Sequence, residues 1–147
     1  MREFFAEISV LFGYGQSLSL LLVRVVVAYG FLNPLMMKIK NLPETGLWFE
    51  SLGIPFPHFF AYLVSGAEAI GVILLVAGLM TRFVSFVLGV VMIVAILVVH
   101  IDNGFSAANM GFEIPLYYLL FFLILMTQGG GKISLDHLFF GERDSES

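Results

Sequence analysis

The chain has 147 residues, of which 59% are apolar and only 12% charged, and its mean hydropathy is +0.98. A soluble domain carries about 25% charged residues, so this chain cannot cover a globular surface with polar groups, and lipid must be part of its solvent. The net charge of −4 gives no support to nucleic-acid binding, and the lack of cysteine excludes disulfides, thiolate metal sites and thiol redox chemistry.

Residues 1–16 come first. Phe4, Phe5, Ile8, Leu11 and Phe12 recur at the spacing of one helix face, with Gly13 and Gly15 beyond them. This predicts an N-terminal amphipathic helix lying in the membrane interface. A transmembrane domain over residues 17–136 follows, with spans at about 18–37, 59–80, 83–101 and a shorter 112–127. Each approaches the roughly 20 apolar residues that a bilayer core requires. Arg24 and Asn33-Pro34 interrupt the first span, and Glu68 sits near the middle of the second. The runs Val25-Val26-Val27 and Val98-Val99 would favour strands in water, but lipid forbids unsatisfied backbone, so every span is predicted helical. The expected fold is therefore all-α, an integral membrane four-helix bundle.

Between the first two spans, Pro43 opens a short stretch with Trp48, Phe49 and Leu52 on one side, closed by Gly53-Ile54-Pro55-Phe56-Pro57. Aromatic residues flanked by Pro and Gly suit the aromatic belt at a membrane surface. Residues 137–147 read as a polar tail. Four spans put both termini on one side with Arg2, Arg82, Lys132 and Arg143, against Lys38 and Lys40 on the other. The basic excess predicts cytoplasmic termini. A cleavable signal peptide is not expected, because the apolar stretch continues past Ala28-Tyr29-Gly30.

The informative residues are the ionisable ones in these apolar stretches: Arg24, Glu68, His100 and Glu113. A charge at the bilayer centre costs roughly 2.5–3.5 kcal/mol on insertion scales, so such groups face the protein interior and pair. At about 1.5 Å per residue, Arg24 and Glu68 differ in depth by about 7 Å, within reach of an extended arginine. An Arg24–Glu68 ion pair is expected, serving either helix register or function. Lys38, His58, His100, Asp102, Asn103 and Glu113 gather at the side opposite the termini. Ala67 with Gly71, and Ser85 with Gly89, form small-residue pairs that let helices approach closely in lipid. The seven methionines are scattered, no metal site is predicted, and the spacing of His58 and His100 carries no haem signature.

Six segments in order carry a family resemblance. They are Arg24, Gly30-Phe31 and Lys38; Leu52-Gly53-Ile54-Pro55; Glu68-Ala69-Ile70-Gly71 leading to Gly78-Leu79-Met80-Thr81-Arg82; His100 with Asn103-Gly104-Phe105; Gly111-Phe112-Glu113; and Gly131-Lys132-Ile133-Ser134-Leu135-Asp136. Over about residues 18–136 the chain resembles the DoxX family of small four-helix membrane proteins. Ala28-Tyr29-Gly30-Phe31 and Gly111-Phe112-Glu113-Ile114-Pro115-Leu116-Tyr117-Tyr118 resemble its HvfX-type subgroup in particular.

The resemblance implies a multi-pass protein of the bacterial inner membrane. The family takes its name from a subunit of a thiosulfate:quinone oxidoreductase, so quinone is the cofactor implied. On that basis the chain is at most the membrane subunit of a quinone-linked redox system, acting on sulfur, thiols or a peptide, with the redox centre on a protein partner. His100 and Glu113 would then be the catalytic proton-exchanging groups. Arg24, Glu68, Lys38, Asp102 and Asn103 would bind ligand or form ion pairs. The HvfX-type subgroup is associated with small secreted metal-binding or modified peptides. The alternative is therefore a non-catalytic accessory protein that anchors or matures such a partner, with the outer polar cluster as its docking surface. A transporter is disfavoured, since no inverted repeat of broken helices is visible and the protomer would have to form a homo-oligomer to enclose a path.

Overall fold

A helix buried in lipid satisfies its own backbone, and that constraint shapes nearly every residue of this chain. The computed structural model describes residues 2–141, together with the side chains of all of these except 2–9, 11 and 14. Helix α1 runs Arg2–Lys40, α2 Leu42–Ser51, α3 Pro57–Ala77, α4 Thr81–Ala95, α5 Glu113–Gln128 and α6 Leu135–Phe140. Among the described residues, three helical segments are long and apolar enough to cross a bilayer: Gly15–Lys40, Pro57–Ala77 and Thr81–Asn103. Glu113–Gln128 forms the shorter fourth. Helix α1 packs on α3 and α5, and α4 closes the ring by packing on both as well. The all-α membrane bundle expected from the sequence is what the chain forms.

Two expectations need correction. Residues 2–16 do not form a separate interfacial helix, because α1 continues unbroken through Gly13 and Gly15. A helical glycine costs only about 0.5–1 kcal/mol, less than surrendering the backbone hydrogen bonds of a turn. The side chains of Phe4, Phe5, Ile8 and Leu11, which helped define the amphipathic face, lie outside the described residues, as do 142–147 of the predicted tail, whose first residues, 137–140, belong to helix α6 instead. In α2, Trp48 and Phe49 do not share a side. Phe49 turns inward with Thr45 and Gly46, while Trp48 remains 43% exposed.

Helix α1 also passes through Pro34. A membrane helix tolerates this when neighbouring elements pack against the disturbed turn. Here the clashing partner of the proline ring is the carbonyl four residues back, at Gly30, and the Tyr118 hydroxyl of α5 occupies the space where a Gly30 side chain would be. Phe31 follows, with ring centroids 5.2 Å from Tyr118 and 5.6 Å from Phe122. Around them Val27, Leu75, Leu88 and Leu125 make the buried core. The small-residue pairs act as expected, with the Leu88 side chain packed directly over Gly71.

At its far end α4 changes pitch. Ile96–His100 is a π-helical turn and Ile101–Asn103 a 3₁₀ turn. Insertions of this kind are rare and recur at functional sites.

The α3–α4 hairpin is held by residues from the far end of the chain. Gly78 ends α3 in the left-handed conformation (φ 68°), and α4 begins after Met80. The Asp136 carboxylate accepts from the backbone N–H groups of Met80 at 2.6 Å and Thr81 at 2.8 Å. Asp136 in turn donates its own N–H to Gly78 O at 2.8 Å. Two of the six resemblance segments, 78–82 and 131–136, are thus parts of one staple. Asp136→Ala leaves two N–H groups of a helix start without an acceptor. Helix caps are worth about 0.5–2 kcal/mol, so the thermal midpoint in detergent should fall measurably, whereas replacing exposed Asp102 by alanine should leave it in place.

Candidate functional site

The most deeply buried carboxylate is Glu68, 1% exposed on the inner face of α3. Its partner is Lys38 from the last turn of α1, with Nζ 2.6 Å from Oε1 and 2.8 Å from Oε2. The lysine side chain is 20% exposed, so the pair links the bundle interior to its margin. Ser65 lies one turn away on the same helix, 3% exposed, and its hydroxyl has no hydrogen-bond partner among the described residues.

The expected Arg24–Glu68 pair does not form. Arg24 is fully buried, with Nη1 donating to Leu75 O at 3.2 Å and Nη2 donating to Ile133 O. Nearby Asp136 supplies its countercharge. The depth estimate allowed the wrong pairing because it compared charges alone. The last carbonyls of a helix have no intrahelical donor, and the arginine fork suits them better than a compact ammonium. Lysine, with the longer flexible stem, folds back along α1 to reach Glu68. Two ionisable residues predicted to pair with each other instead take separate partners at separate depths.

The cluster opposite the termini is present at one end of the bundle but divided. Lys38 serves Glu68. The exposed His58 ring packs where a side chain on Gly46 would be. His100 Nδ1 lies 2.7 Å from Met110 O, and Asn103 Nδ2 donates to the same oxygen at 3.3 Å. A carbonyl can only accept, so His100 carries its proton on Nδ1. Glu113 accepts from Ala107 N–H at 2.8 Å and from the Tyr117 hydroxyl at 3.0 Å. Further bonds from Phe112 N–H to Gly104 O and from Glu113 N–H to Phe105 O close the segment 104–112. The structure brings His100, Asn103 and Glu113 onto one loop, where they hold its backbone. Asp102 is exposed beside them. No group of three or more His, Cys, Asp or Glu side chains suited to a metal occurs among the described residues.

The end carrying the termini holds two open clefts that the sequence reading passed over. One of about 640 Å³ is lined by Gln16, Ser17, Thr81, Arg82, Gln128 and the 129–132 loop. The other, about 430 Å³, is mainly apolar, between Leu21, Val76, Ala77, Ile133, Leu135 and Leu138. The available signal was the glycine run Gly129-Gly130-Gly131 ahead of Lys132.

The model of the DoxX family matches residues 19–101 of this chain, which is more than half of it. The chain belongs to the DoxX family. A Haemophilus influenzae relative described as an uncharacterized protein is 34% identical over 134 residues, covering 86% of each chain. A second from the same organism is 35% identical over 123 residues, 80% of this chain and 88% of the relative. A Bacillus subtilis protein named "Putative oxidoreductase CatD" is 31% identical over 121 residues, 82% of this chain and 86% of its own. No solved structure matches. The family match covers Arg24, Lys38, Glu68 and His100 of this DoxX protein. Glu113 and the 131–136 segment lie beyond it.

The ion pair can be tested directly. Lys38→Met leaves Glu68 with an uncompensated buried charge and should cost about 3–5 kcal/mol, much of which Lys38→Met with Glu68→Leu should restore. A double-mutant cycle in detergent unfolding should give strong coupling for Lys38 and Glu68 and near-zero coupling for Arg24 and Glu68. The reverse ranking would sink this assignment.

Proposed function

We propose that this DoxX protein is the bacterial inner-membrane subunit of a quinone-linked redox system, acting on sulfur, thiol or peptide substrates through a partner that holds the redox centre. The observation that carries the reading is the Lys38–Glu68 pair, a carboxylate 1% exposed in an apolar bundle and joined to an ammonium that reaches the margin. Burying such a pair contributes little to stability compared with apolar packing of equal volume, and intramembrane ionisable residues mark proton and ligand paths. The name given to the Bacillus relative agrees with this class of chemistry.

A bound quinone supplies a two-electron, two-proton acceptor. The residues present fit such a group. Lys38 Nζ offers hydrogen bonds, Ser65 Oγ is a buried hydroxyl without a partner, and Glu68 can hold a proton. His100, with Nδ1 fixed on Met110 O, keeps Nε2 for exchange with solvent, and Glu113 stands on the same loop. The internal use of Lys38 leaves Lys40 as the basic residue facing that side, which strengthens the case for cytoplasmic termini.

A second reading is favoured by one observation. Residues 101–110 are all exposed, with Phe105 at 51% and Met110 at 72%. This surface suits docking of a protein partner, such as the secreted metal-binding or modified peptide that an HvfX-type relationship brings with it.

The two readings separate in the membrane lipid extract. Protein purified with its native lipids should carry quinone detectable by mass spectrometry, and Glu68→Gln should lower its retention while the fold is kept. Reproducible absence of quinone from the unaltered protein would overturn the redox reading. His100→Ala and Glu113→Gln should reduce redox activity without lowering membrane abundance; if instead both fail to accumulate, their role is to build the loop.

A further inference from the structure

The larger cleft contains hydrogen-bond donors with nothing to donate to. Thr81 Oγ1, completely buried behind Gly130 and sealed from the cleft, has no partner among the described residues. Gly130 is itself buried, and neither its N–H nor that of Gly131 donates a hydrogen bond among the described residues. Buried backbone N–H groups are nearly always paired, so donors left over around one cleft call for an acceptor from outside the chain. Arg82 supplies the charge. It is exposed, forms no ion pair among the described residues, and its Nε lies 3.3 Å from where a Gly129 side chain would begin. A guanidinium beside unused backbone N–H donors matches the oxygens of a phosphate group.

One feature of the cleft opposes an anion. Asp136 also lines it. Both of its carboxylate oxygens, however, are taken by the N–H groups of Met80 and Thr81 at the start of α4, and Arg24 stands behind it. Its charge is spent inside the protein, so the open face keeps the sign of Arg82.

The position favours a lipid. The cleft lies where the first span and α4 begin and α5 ends, which is headgroup level. It adjoins the mainly apolar groove, with which it shares Lys132, Ser134 and His137. We propose that this cleft binds the phosphate of an anionic ligand through Arg82 and the Gly130–Gly131 backbone. An anionic lipid headgroup, with an acyl chain along the apolar groove, and free phosphate share that chemistry.

The test is native mass spectrometry of the full chain titrated with phosphatidylglycerol or phosphatidylcholine, with and without millimolar inorganic phosphate. Phosphatidylglycerol should bind at least about tenfold more tightly than phosphatidylcholine, and Arg82→Gln should remove most of that preference. Thr81→Val, which deletes a hydroxyl sealed from the cleft, should leave the preference in place and the thermal midpoint unchanged or higher. Lys40→Gln, at the opposite end, should change nothing. Displacement of the lipid by inorganic phosphate assigns the site to free phosphate; preference that survives phosphate but is lost in Arg82→Gln assigns it to the headgroup. Equal binding of the two lipids with no phosphate binding, or a preference retained in Arg82→Gln, would overturn the proposal.

Discussion

Backbone groups at helix ends beside lipid have no water to turn to, and in this protein a pair of charged residues provides for them. Arg24 donates to carbonyls at the end of α3 and in the segment before α6, while Asp136 accepts the first N–H groups of α4. Each charge faces partial charge of the opposite sign on a helix terminus, and each faces the other. The tight α3–α4 turn, the path of the C-terminal segment and the depth of α1 all depend on this arrangement. Gly78 belongs to it as well. Any side chain there would meet the Arg24 guanidinium and Ser134, on a backbone whose positive φ already favours glycine.

Lys38 and Glu68 stand apart from that scaffold. Nothing in the bundle's backbone needs them, since Glu68 sits mid-helix with its own peptide groups paired along α3. A leucine and a methionine would fill the same volume at no desolvation cost. The neighbouring hydroxyl of Ser65 is also left without a partner. A structural ion pair inside lipid is normally closed off by further hydrogen bonds; here both carboxylate oxygens share one ammonium and meet no further donor among the described residues. Arg24, by contrast, places both Nη groups on backbone carbonyls of the scaffold and leaves only Nε without a partner among the described residues, although the sequence presents the two charges alike.

The spans, the all-α class and the close helix contacts were legible because hydropathy and small-residue spacing are local, and lipid leaves helices little alternative. Pairing was not legible. Depth along a helix is a one-dimensional coordinate, and it cannot show that Arg24 lies level with the end of α3, where carbonyls compete for it. The outer cluster was located at the correct end, yet its members could not be assigned to a loop, because the π-turn at Ile96–His100 resets the facing of His100 in a way no 3.6-residue period describes. The resemblance segments at 78–82 and 131–136 were recognised separately. Their hydrogen bonding to each other emerges only when the ring of helices is closed.

Helix length accounts for the different character of the two ends. At 1.5 Å per residue, the 16 residues of α5 span about 24 Å, short of a hydrocarbon core of about 30 Å. The loops at its ends are then drawn to the inner edge of the headgroup region, where little water is left to satisfy irregular backbone. The 104–112 loop meets that demand from within, through Glu113, His100 and its own peptide bonds. The 129–134 loop meets it in part. Ser17, Arg24 and Ser134 take up Lys132 N–H, Ile133 O and Gly131 O, but the N–H groups of Gly130 and Gly131 have no acceptor among the described residues. A short fourth span thus produces one self-contained end and one that is complete only when something with acceptor oxygens settles against the glycines.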